Sequence, residues 1–186
     1  MEIQKSERIL YLLLGTIVVL LVMNLGLFIQ MRSLQQDVVD LLMPLRDSSN
    51  SLETLPQGFP APGFDLVDTE GNEVSLVQFH GNNVLIIFTS PTCAACQAIY
   101  PVLKDFSLSH PDIELVMMSN GNSIENEELV IEYGYTFPVT MPTKEIAASY
   151  LITMVPFAYF VDADGLIVSG KVFRNFEQLE DLVYQD

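Results

Sequence analysis

Hydrophobic residues along this chain form one long N-terminal run and several short runs further on. The long run, residues 9–31, contains no charged residue. As an α-helix it would be about 34 Å long, which is enough to cross the hydrocarbon layer of a membrane. A cleaved signal peptide has a shorter apolar region followed by small residues, and residues 31–35 offer no such site. The pattern therefore predicts a transmembrane helix rather than a signal peptide or the buried helix of a soluble domain.

The charges flanking this run favour one orientation only weakly. Lys5 and Arg8 precede it, and Arg32 and Arg46 follow it, so the cations are nearly balanced. Because a short N-terminal tail usually stays in the cytoplasm, we expect the C-terminal domain on the extracytoplasmic, periplasmic side of a bacterial cell membrane. The predicted organisation is a tail and transmembrane helix (1–31), a stalk or linker (32–58) and a folded domain (59–186).

Beyond residue 59, apolar runs of strand length alternate with segments of helical periodicity. The runs 84–89 and 113–118 are continuously apolar, which is typical of strands buried on both faces. The predicted strands are 73–76, 84–89, 113–118, 157–161 and 166–170, and the predicted helices are 93–109, 126–133, 144–151 and 176–183. This order predicts an α/β fold with a central sheet covered by helices on both faces.

Charge and cysteine content exclude several classes of protein. With 8 Lys and Arg against 24 Asp and Glu, the net charge is −16, so no basic face for nucleic acid can form. All of that excess lies after residue 31, and an acidic domain is repelled by anionic lipid heads. Two cysteines exclude a disulfide-dense scaffold and a four-cysteine zinc site.

Both cysteines lie in one C-x-x-C motif, between a predicted buried strand and a predicted helix. Cys93 would occupy the helix start, where unpaired N–H groups and the helix dipole favour an anion. We therefore expect Cys93 to be the attacking nucleophile and Cys96, one turn further and turned inward, to resolve the mixed disulfide. Pro91 and Thr92, which precede the motif, are predicted to position the start of the helix.

Two alternatives to a redox role are a structural disulfide and half of a zinc site. A disulfide that closes a four-residue loop constrains the unfolded chain little and would contribute little stability. A zinc site needs two further ligands, but His80 and His110 are isolated in the sequence and are expected to be solvated. We therefore predict neither a metal nor a cofactor.

Val155 and Pro156 stand directly before a predicted strand and form a candidate substrate-binding element. A proline at the start of a strand removes a backbone donor. A cis peptide here would lay the backbone of Val155 beside Cys93 and present its N–H and C=O groups to an extended substrate. An ordinary trans turn is the alternative.

These features together resemble the thioredoxin superfamily, in its membrane-anchored TlpA/ResA-like branch. The resemblance covers about residues 59–183 and includes Cys93, Cys96, Pro101 and Pro156, together with the segments 61–64, 68–71, 133–139 and 162–165. It implies a thioredoxin-like fold with a central mixed sheet flanked by helices, in which Pro101 kinks the active-site helix. Within the branch, residues 90–93 and 156–158 are most similar to methylamine-dehydrogenase accessory proteins of the MauD type.

The resemblance implies a thiol-disulfide oxidoreductase that acts on protein thiols and disulfides and exchanges electrons with a membrane or extracytoplasmic partner. MauD-like residues favour disulfide formation in a partner enzyme, whereas the wider branch favours reduction, as in cytochrome c maturation. Peroxide reduction is disfavoured because, although Ser90 precedes Cys93 by three residues, no arginine lies between Arg46 and Arg174. A non-redox, membrane-tethered assembly factor is the non-enzymatic alternative.

Two positions depart from the superfamily pattern. Ile87 stands six residues before Cys93, where thioredoxins bury an acid, and Ile99 stands three residues after Cys96, where many reductases of the branch carry glutamate. A buried thiol without a nearby base has a raised pKa. We therefore expect Cys96 to attack a mixed disulfide slowly.

Overall fold

A computed structural model describes Met23 and residues 54–184 of the chain. Apart from Met23, the predicted transmembrane helix (9–31) lies outside the described residues, as does the stalk up to residue 53. Within the described part, no helix combines the length and the apolar character needed to cross a bilayer.

The described domain contains seven strands, four α-helices and a short 3₁₀ helix over Leu76–Phe79. In chain order the strands and helices are β1 Asp65–Val67, β2 Glu73–Ser75, β3 Asn83–Thr89, α1 Ala94–Ser109, β4 Ile113–Ser119, α2 Ser123–Tyr133, β5 Val139–Thr140, α3 Lys144–Ser149, β6 Phe157–Val161, β7 Ile167–Val172 and α4 Phe176–Val183.

The central sheet has five strands in the order β5-β4-β3-β6-β7. β3, β4 and β5 are parallel, whereas β6 and β7 run antiparallel to their neighbours. β3 is the middle strand, and every residue from Val84 to Thr89 is buried, which accounts for its continuous apolar sequence. The mixed sheet and the α/β fold predicted from the sequence are confirmed.

Two hydrophobic cores cover the two faces of this sheet. Side chains of β3 alternate between them, so Leu85 and Ile87 join one core while Ile86 and Phe88 join the other. The first core is completed by α1, α2 and α4. The second is completed by Tyr150, at the end of α3, and by residues of the N-terminal hairpin β1–β2.

Helix α1 lies against the sheet through a single buried stripe. The residues Cys96, Ile99, Tyr100, Leu103 and Phe106 are buried, at the spacing of one helical face. Cys96 therefore belongs to the face of the helix that the core anchors. Its position is fixed by the packing of the whole helix.

The turn of the hairpin β1–β2 and the segment that precedes β1 pair with opposite edges of the central sheet. Asp68 bridges to Thr140 of β5, beside a 3.1 Å hydrogen bond from Thr69 N–H to the carbonyl of Val139. At the opposite edge, Ile167 of β7 exchanges hydrogen bonds of 2.8 Å with the backbone of Gly58 and Phe59.

Several boundaries differ from the sequence prediction for local reasons. The predicted strand 73–76 ends at Ser75, because the chain turns there into the 3₁₀ helix. The predicted helix 126–133 begins earlier, at Ser123, because Asn122 and Glu125 form a reciprocal capping box. Helix 144–151 ends at Ser149, and strand 166–170 occupies 167–172. The bounds of 84–89, 93–109 and 113–118 each differ by one residue, and β1 and β5 were not predicted.

His110 is buried, so the prediction that it is solvated is wrong. It caps the C-terminus of α1, and its ring stacks on Phe106 with 4.2 Å between centroids. Its Nε2 atom lies 3.9 Å from a carboxylate oxygen of Glu180 on α4, which packs across this end of the helix. His80 is exposed, as expected.

Candidate active site

Cys93 is the N-cap of α1, at the end of the loop that follows β3. Its backbone is extended (φ −88°, ψ 113°), and its Sγ atom accepts a 3.2 Å hydrogen bond from the backbone N–H of Cys96. A sulfur in this position faces the unpaired N–H groups of the first helical turn, which favour negative charge. Both cysteines are free thiols, and Cys93 remains partly accessible to solvent.

Cys96 lies one turn into the helix and has no accessible surface. Burial raises the pKa of its thiol to about 12, and the hydrogen bond with the Cys93 side chain acts in the same direction. The backbone N–H of Ser90 acts in the opposite direction by hydrogen bonding the sulfur. The Cys96 thiol is therefore neutral near pH 7 and needs assistance to ionise.

The Val155–Pro156 peptide is cis and lies against Cys93. The Cys93 thiol donates to the carbonyl oxygen of Val155, with 3.6 Å between sulfur and oxygen. Val155 is half-buried and Pro156 is buried, so the loop presents backbone rather than large side chains to the sulfur. The structure thus brings together the two candidate elements that lie 62 residues apart in the sequence.

The loop before Cys93 is fixed by short-range hydrogen bonds. The Cys93 N–H donates to the carbonyl of Ser90 at 3.1 Å, and the hydroxyls of Ser90 and Thr92 lie 3.0 Å apart. The side-chain amide of Gln97 donates to the carbonyl of Pro91 at 3.0 Å. Pro91 and Thr92 therefore lie where the sequence placed them, in the turn that leads into α1. Pro101 lies inside α1 on its exposed side.

Comparison with known proteins places the chain in a family. The model of the AhpC/TSA family matches residues 58–169, which is more than half of the chain. The chain belongs to the AhpC/TSA family.

Two curated relatives of this AhpC/TSA-family chain carry informative names. It is 28% identical over 129 residues to the methylamine utilization protein MauD of Paracoccus versutus, an alignment that covers 69% of this chain and 65% of MauD. It is 26% identical over 120 residues to the thiol-disulfide oxidoreductase ResA of Bacillus subtilis, covering 62% of this chain and 67% of ResA. The chain therefore spans about 65% of the length of the MauD protein that it matches. The resemblance to MauD and ResA is confirmed.

Among solved structures, the chain is similar to the thioredoxin domain of a thiol-disulfide oxidoreductase from Bacteroides vulgatus. The TM-score is 0.63 at 24% identity, and the match covers 70% of this chain and all of that domain. At this identity the likeness shows the fold alone, and it confirms that the AhpC/TSA-family domain is thioredoxin-like.

The surroundings of Cys96 in this AhpC/TSA-family domain contain no carboxylate from the two positions considered in the sequence. Ile87 and Ile99 are fully buried and belong to the same core as Cys96. The sequence analysis did not single out Thr89 and Tyr100, two buried polar residues on this side of the sheet. In the sequence, Thr89 stands out only as a hydroxyl residue at the end of an apolar strand. Tyr100 stands out only as a hydroxyl residue one helical turn after Cys96.

Two cavities flank the cysteines. A groove of about 420 Å³ between α1 and α2 is lined by Pro91 and Gln97 from the active-site region and by Glu125, Glu128 and Glu132. A second cavity, of about 340 Å³, is lined by Val155 and by residues of the loops around α3. In the part of the chain that the structure describes, no group of three or more His, Cys, Asp or Glu side chains could hold a metal ion.

Proposed function

We propose that this chain is a thiol-disulfide oxidoreductase that exchanges disulfides with protein substrates through Cys93 and Cys96. The observation that carries the proposal is the pairing of a partly accessible sulfur at a helix N-cap with a fully buried thiol one turn away. The first sulfur is open to attack and the second is protected from it. The family match and the similarity to the thiol-disulfide oxidoreductase ResA support the same activity.

The proposed exchange proceeds in two steps. Cys93, as thiolate, attacks a substrate disulfide, forms a mixed disulfide and releases one substrate thiol. Cys96 then loses its proton, and its sulfur bonds to the sulfur of Cys93. This expels the second substrate thiolate, which takes up a proton. The substrate gains two electrons and the protein ends with a Cys93–Cys96 disulfide, and the reverse sequence transfers a disulfide to the substrate.

Val155 and Pro156 form the proposed substrate-binding element. The carbonyl of Val155 lies 3.6 Å from the attacking sulfur. An extended substrate segment that hydrogen bonds to the Val155 backbone would therefore hold its own disulfide beside Cys93. Pro91, Thr92 and Pro101 are proposed to position α1 and its first turn.

We also propose that the domain is anchored to a bacterial membrane by residues 9–31 and lies on the extracytoplasmic side. The charge-free apolar run supports the anchor. The acidic domain, which anionic lipid heads repel, supports a position away from the membrane surface. In this arrangement the 32–58 segment is a linker, and a membrane or extracytoplasmic electron partner resets the cysteines.

The direction of exchange that we favour is disulfide formation or maturation in a partner enzyme, because the chain is similar to the methylamine utilization protein MauD. Similarity to ResA supports the alternative, a reductant of partner thiols as in cytochrome c maturation. Trapping the in-cell state with an alkylating reagent separates the two. Mostly oxidised cysteines support disulfide formation, and mostly reduced cysteines support the alternative.

A Cys96→Ala variant tests the proposal directly. Without the resolving thiol, the mixed disulfide on Cys93 should accumulate and be recovered from the membrane fraction of cells, sensitive to dithiothreitol. The matched control, Cys93→Ser with Cys96→Ala, should trap nothing. If the single variant traps no partner while the wild type is active in cells, the exchange mechanism is wrong. If a Cys93→Ser, Cys96→Ser variant keeps full cellular activity, the chain is a non-redox assembly factor.

A further inference from the structure

Four buried side chains on the side of the sheet that α1 covers carry polar atoms that have no hydrogen-bond partner within the described residues. The unpaired atoms are the hydroxyl oxygens of Thr89, Tyr100 and Ser119 and the side-chain amide oxygen and nitrogen of Asn126. We refer to these four residues as the buried polar cluster. Each is at most 1% exposed. Because native proteins keep few unpaired buried polar atoms, each such atom needs an explanation, of which a catalytic role is one.

Two members of the cluster end neighbouring strands. Thr89 of β3 and Ser119 of β4 are register partners at the carboxyl ends of the two parallel strands. Side chains two residues apart point to the same face of a sheet. Thr89 therefore follows Leu85 and Ile87, and Ser119 follows Leu115 and Met117, toward the core beneath α1. The next residue after Thr89 is Ser90, whose N–H hydrogen bonds the Cys96 sulfur.

Tyr100 reaches the same place from the helix. It follows Cys96 by four residues and therefore lies on the same face of α1. Helical side chains lean toward the N-terminus, which directs the ring of Tyr100 toward Cys96. Burial raises the pKa of Tyr100, with smaller effects in the same direction from Cys96 and Cys93, while the hydroxyl of Thr89 lowers it. The hydroxyls of Tyr100 and Thr89 are thus neighbours, although neither completes a hydrogen bond of good geometry.

Asn126 extends the cluster to the active-site loop. A Cβ atom placed on Gly121 would lie 2.8 Å from the side-chain oxygen of Asn126 and 2.6 Å from the ring of Pro91. Glycine at this position therefore lets the start of α2 approach the loop that holds Cys93. Asn126 is buried beneath that loop, on the same side of the sheet as the other members.

The chemistry of the resolving step needs polar groups at this place. When Cys96 gives up its proton, a negative charge forms on a sulfur with no exposed surface, and Ile87 and Ile99 offer it no polar group. Hydroxyl and amide donors stabilise an anion by hydrogen bonding without carrying charge themselves. An apolar core would leave that anion unstabilised.

We propose that the buried polar cluster positions hydrogen-bond donors for the Cys96 thiolate that forms as Cys96 attacks the mixed disulfide on Cys93. Unlike the acid that other members of the superfamily carry, the cluster does not accept the proton of Cys96, and its donors stabilise the anion that remains. This inference rests on the proposed exchange function and adds the residues that make its second step possible. The proton that leaves Cys96 is balanced by the one that the departing substrate thiolate takes up.

Few other titratable groups face this region. Cys93 lies at the start of α1, and the ring of Tyr133 of α2 lies 5.6 Å from that of Tyr100 at a tilt of 53°. The hydroxyl of Tyr135 donates to the backbone carbonyl of Tyr100 at 3.0 Å. Glu125, Glu128 and Glu132 of α2 line the groove outside Tyr100. At this end of the sheet, β3 and β4 contribute hydroxyls only, from Thr89 and Ser119.

The test separates the two steps with 4,4′-dithiodipyridine, a small uncharged disulfide. The reduced full chain, dilute and in detergent, releases one thiopyridone when Cys93 attacks and a second when Cys96 closes the protein disulfide. We expect Tyr100→Phe to leave the first release within about twofold of wild type. The second release should slow roughly tenfold, the scale of one hydrogen bond to a charged group, and its pH profile should move to higher pH.

A matched control is Tyr150→Phe, which removes a buried hydroxyl on the opposite face of the sheet. That hydroxyl donates to the carbonyl of Pro62 at 2.6 Å, so its loss should lower stability and leave both releases unchanged. Tyr100→Phe removes an unpaired hydroxyl and should not lower stability in urea. Ser119→Ala is a second variant of the cluster and should also slow the second release.

Three outcomes overturn the assignments. If both Tyr100→Phe and Ser119→Ala leave the second release within twofold of wild type at every pH, the cluster does not assist Cys96. If Tyr150→Phe slows the second release as much as Tyr100→Phe does, the effect is one of general stability and the inference is wrong. If Cys93→Ser still shows the first release at the wild-type rate, the proposed exchange function itself fails.

Discussion

Among the glycines that the structure describes, Gly170 leaves least room for a side chain. It lies in β7 directly opposite Tyr159 of β6, and a Cβ atom there would lie 2.4 and 2.5 Å from two carbons of the Tyr159 ring. Carbon atoms in contact are normally about 3.5–4.0 Å apart, so the ring would have to move by roughly 1 Å. The side chain of Tyr159 is fully buried. Its hydroxyl donates a hydrogen bond to the carbonyl of Tyr150 at 2.9 Å and accepts one from the N–H of Leu55 at 3.1 Å.

We predict that Gly170→Ala destabilises the domain by about 2 kcal/mol. Overpacking a buried site costs about 1–3 kcal/mol. A displaced ring also loses one of the hydroxyl's hydrogen bonds, which contributes about 1 kcal/mol. The lower conformational freedom of alanine in the unfolded chain offsets about 0.4–1 kcal/mol of this loss.

Urea unfolding of the full chain in detergent, followed by far-ultraviolet circular dichroism, measures this loss. Gly63→Ala is the matched control, because a Cβ atom there meets nothing within 4 Å. It should not lower stability, since only the unfolded-state effect remains, which favours folding by about 0.4–1 kcal/mol. In a Tyr159→Leu background the ring is absent, so Gly170→Ala should lose most of its effect. A loss below about 0.5 kcal/mol, or an equal loss in both backgrounds, would refute the packing explanation.

Two further predictions concern charge. Burial raises the pKa of Asp68, but hydrogen bonds from Asn72 and Glu70 outweigh it and hold the pKa below its ordinary value of 3.8. The carboxylate therefore stabilises the fold above about pH 4 and loses that effect as the pH falls through the lowered pKa. Asp68→Asn should destabilise the protein by up to about 1 kcal/mol at pH 7 and by less at pH 3 in urea unfolding. An equal loss of stability at both pH values would contradict this explanation. The chain carries a net charge of −16, and glutamates line the groove beside Cys93. The reduced protein should therefore react faster with the cationic disulfide cystamine than with anionic oxidised glutathione. The ratio of these two rates should be several-fold higher at low salt than at 0.5 M NaCl. A rate ratio that does not change with salt would argue against this influence of charge.

The parts of the fold that the sequence predicts well are those with a strong local signal. The middle strands β3 and β4 are continuously apolar because both faces are buried. Helix α1 follows from its apolar periodicity and from the C-x-x-C motif at its start. Pattern alone therefore located Cys93 and Cys96 at a helix start after a buried strand.

The parts that were missed depend on contacts between distant segments. β5 has only two residues and exists as a strand because β4 pairs with it. His110 lies in a polar-looking segment and is buried because α4 packs across the end of α1. Local periodicity carries no information about either contact.

The buried polar cluster illustrates the same limit within the site. Tyr100 and Asn126 are separated by a strand and a loop in the sequence, and each is unremarkable on its own helix. The register of β3 with β4 aligns Thr89 with Ser119, and the close approach at Gly121 brings Asn126 against the active-site loop. The sequence identified the absence of the acid at Ile87 and Ile99, and the structure adds the neutral polar residues that are buried on the same side of the sheet as Cys96.

The pairing at the two borders of the sheet also limits how another polypeptide can associate with it. At the β5 border Asp68 and Thr69 use hydrogen-bonding groups of the short strand, and at the β7 border Gly58 and Phe59 pair with Ile167. A visiting chain that extended the sheet would first have to displace these segments. These segments leave less of the sheet borders open to pairing with another copy of the chain. A protein substrate of the proposed exchange reaction would approach instead across the ends of the strands, where Cys93 lies.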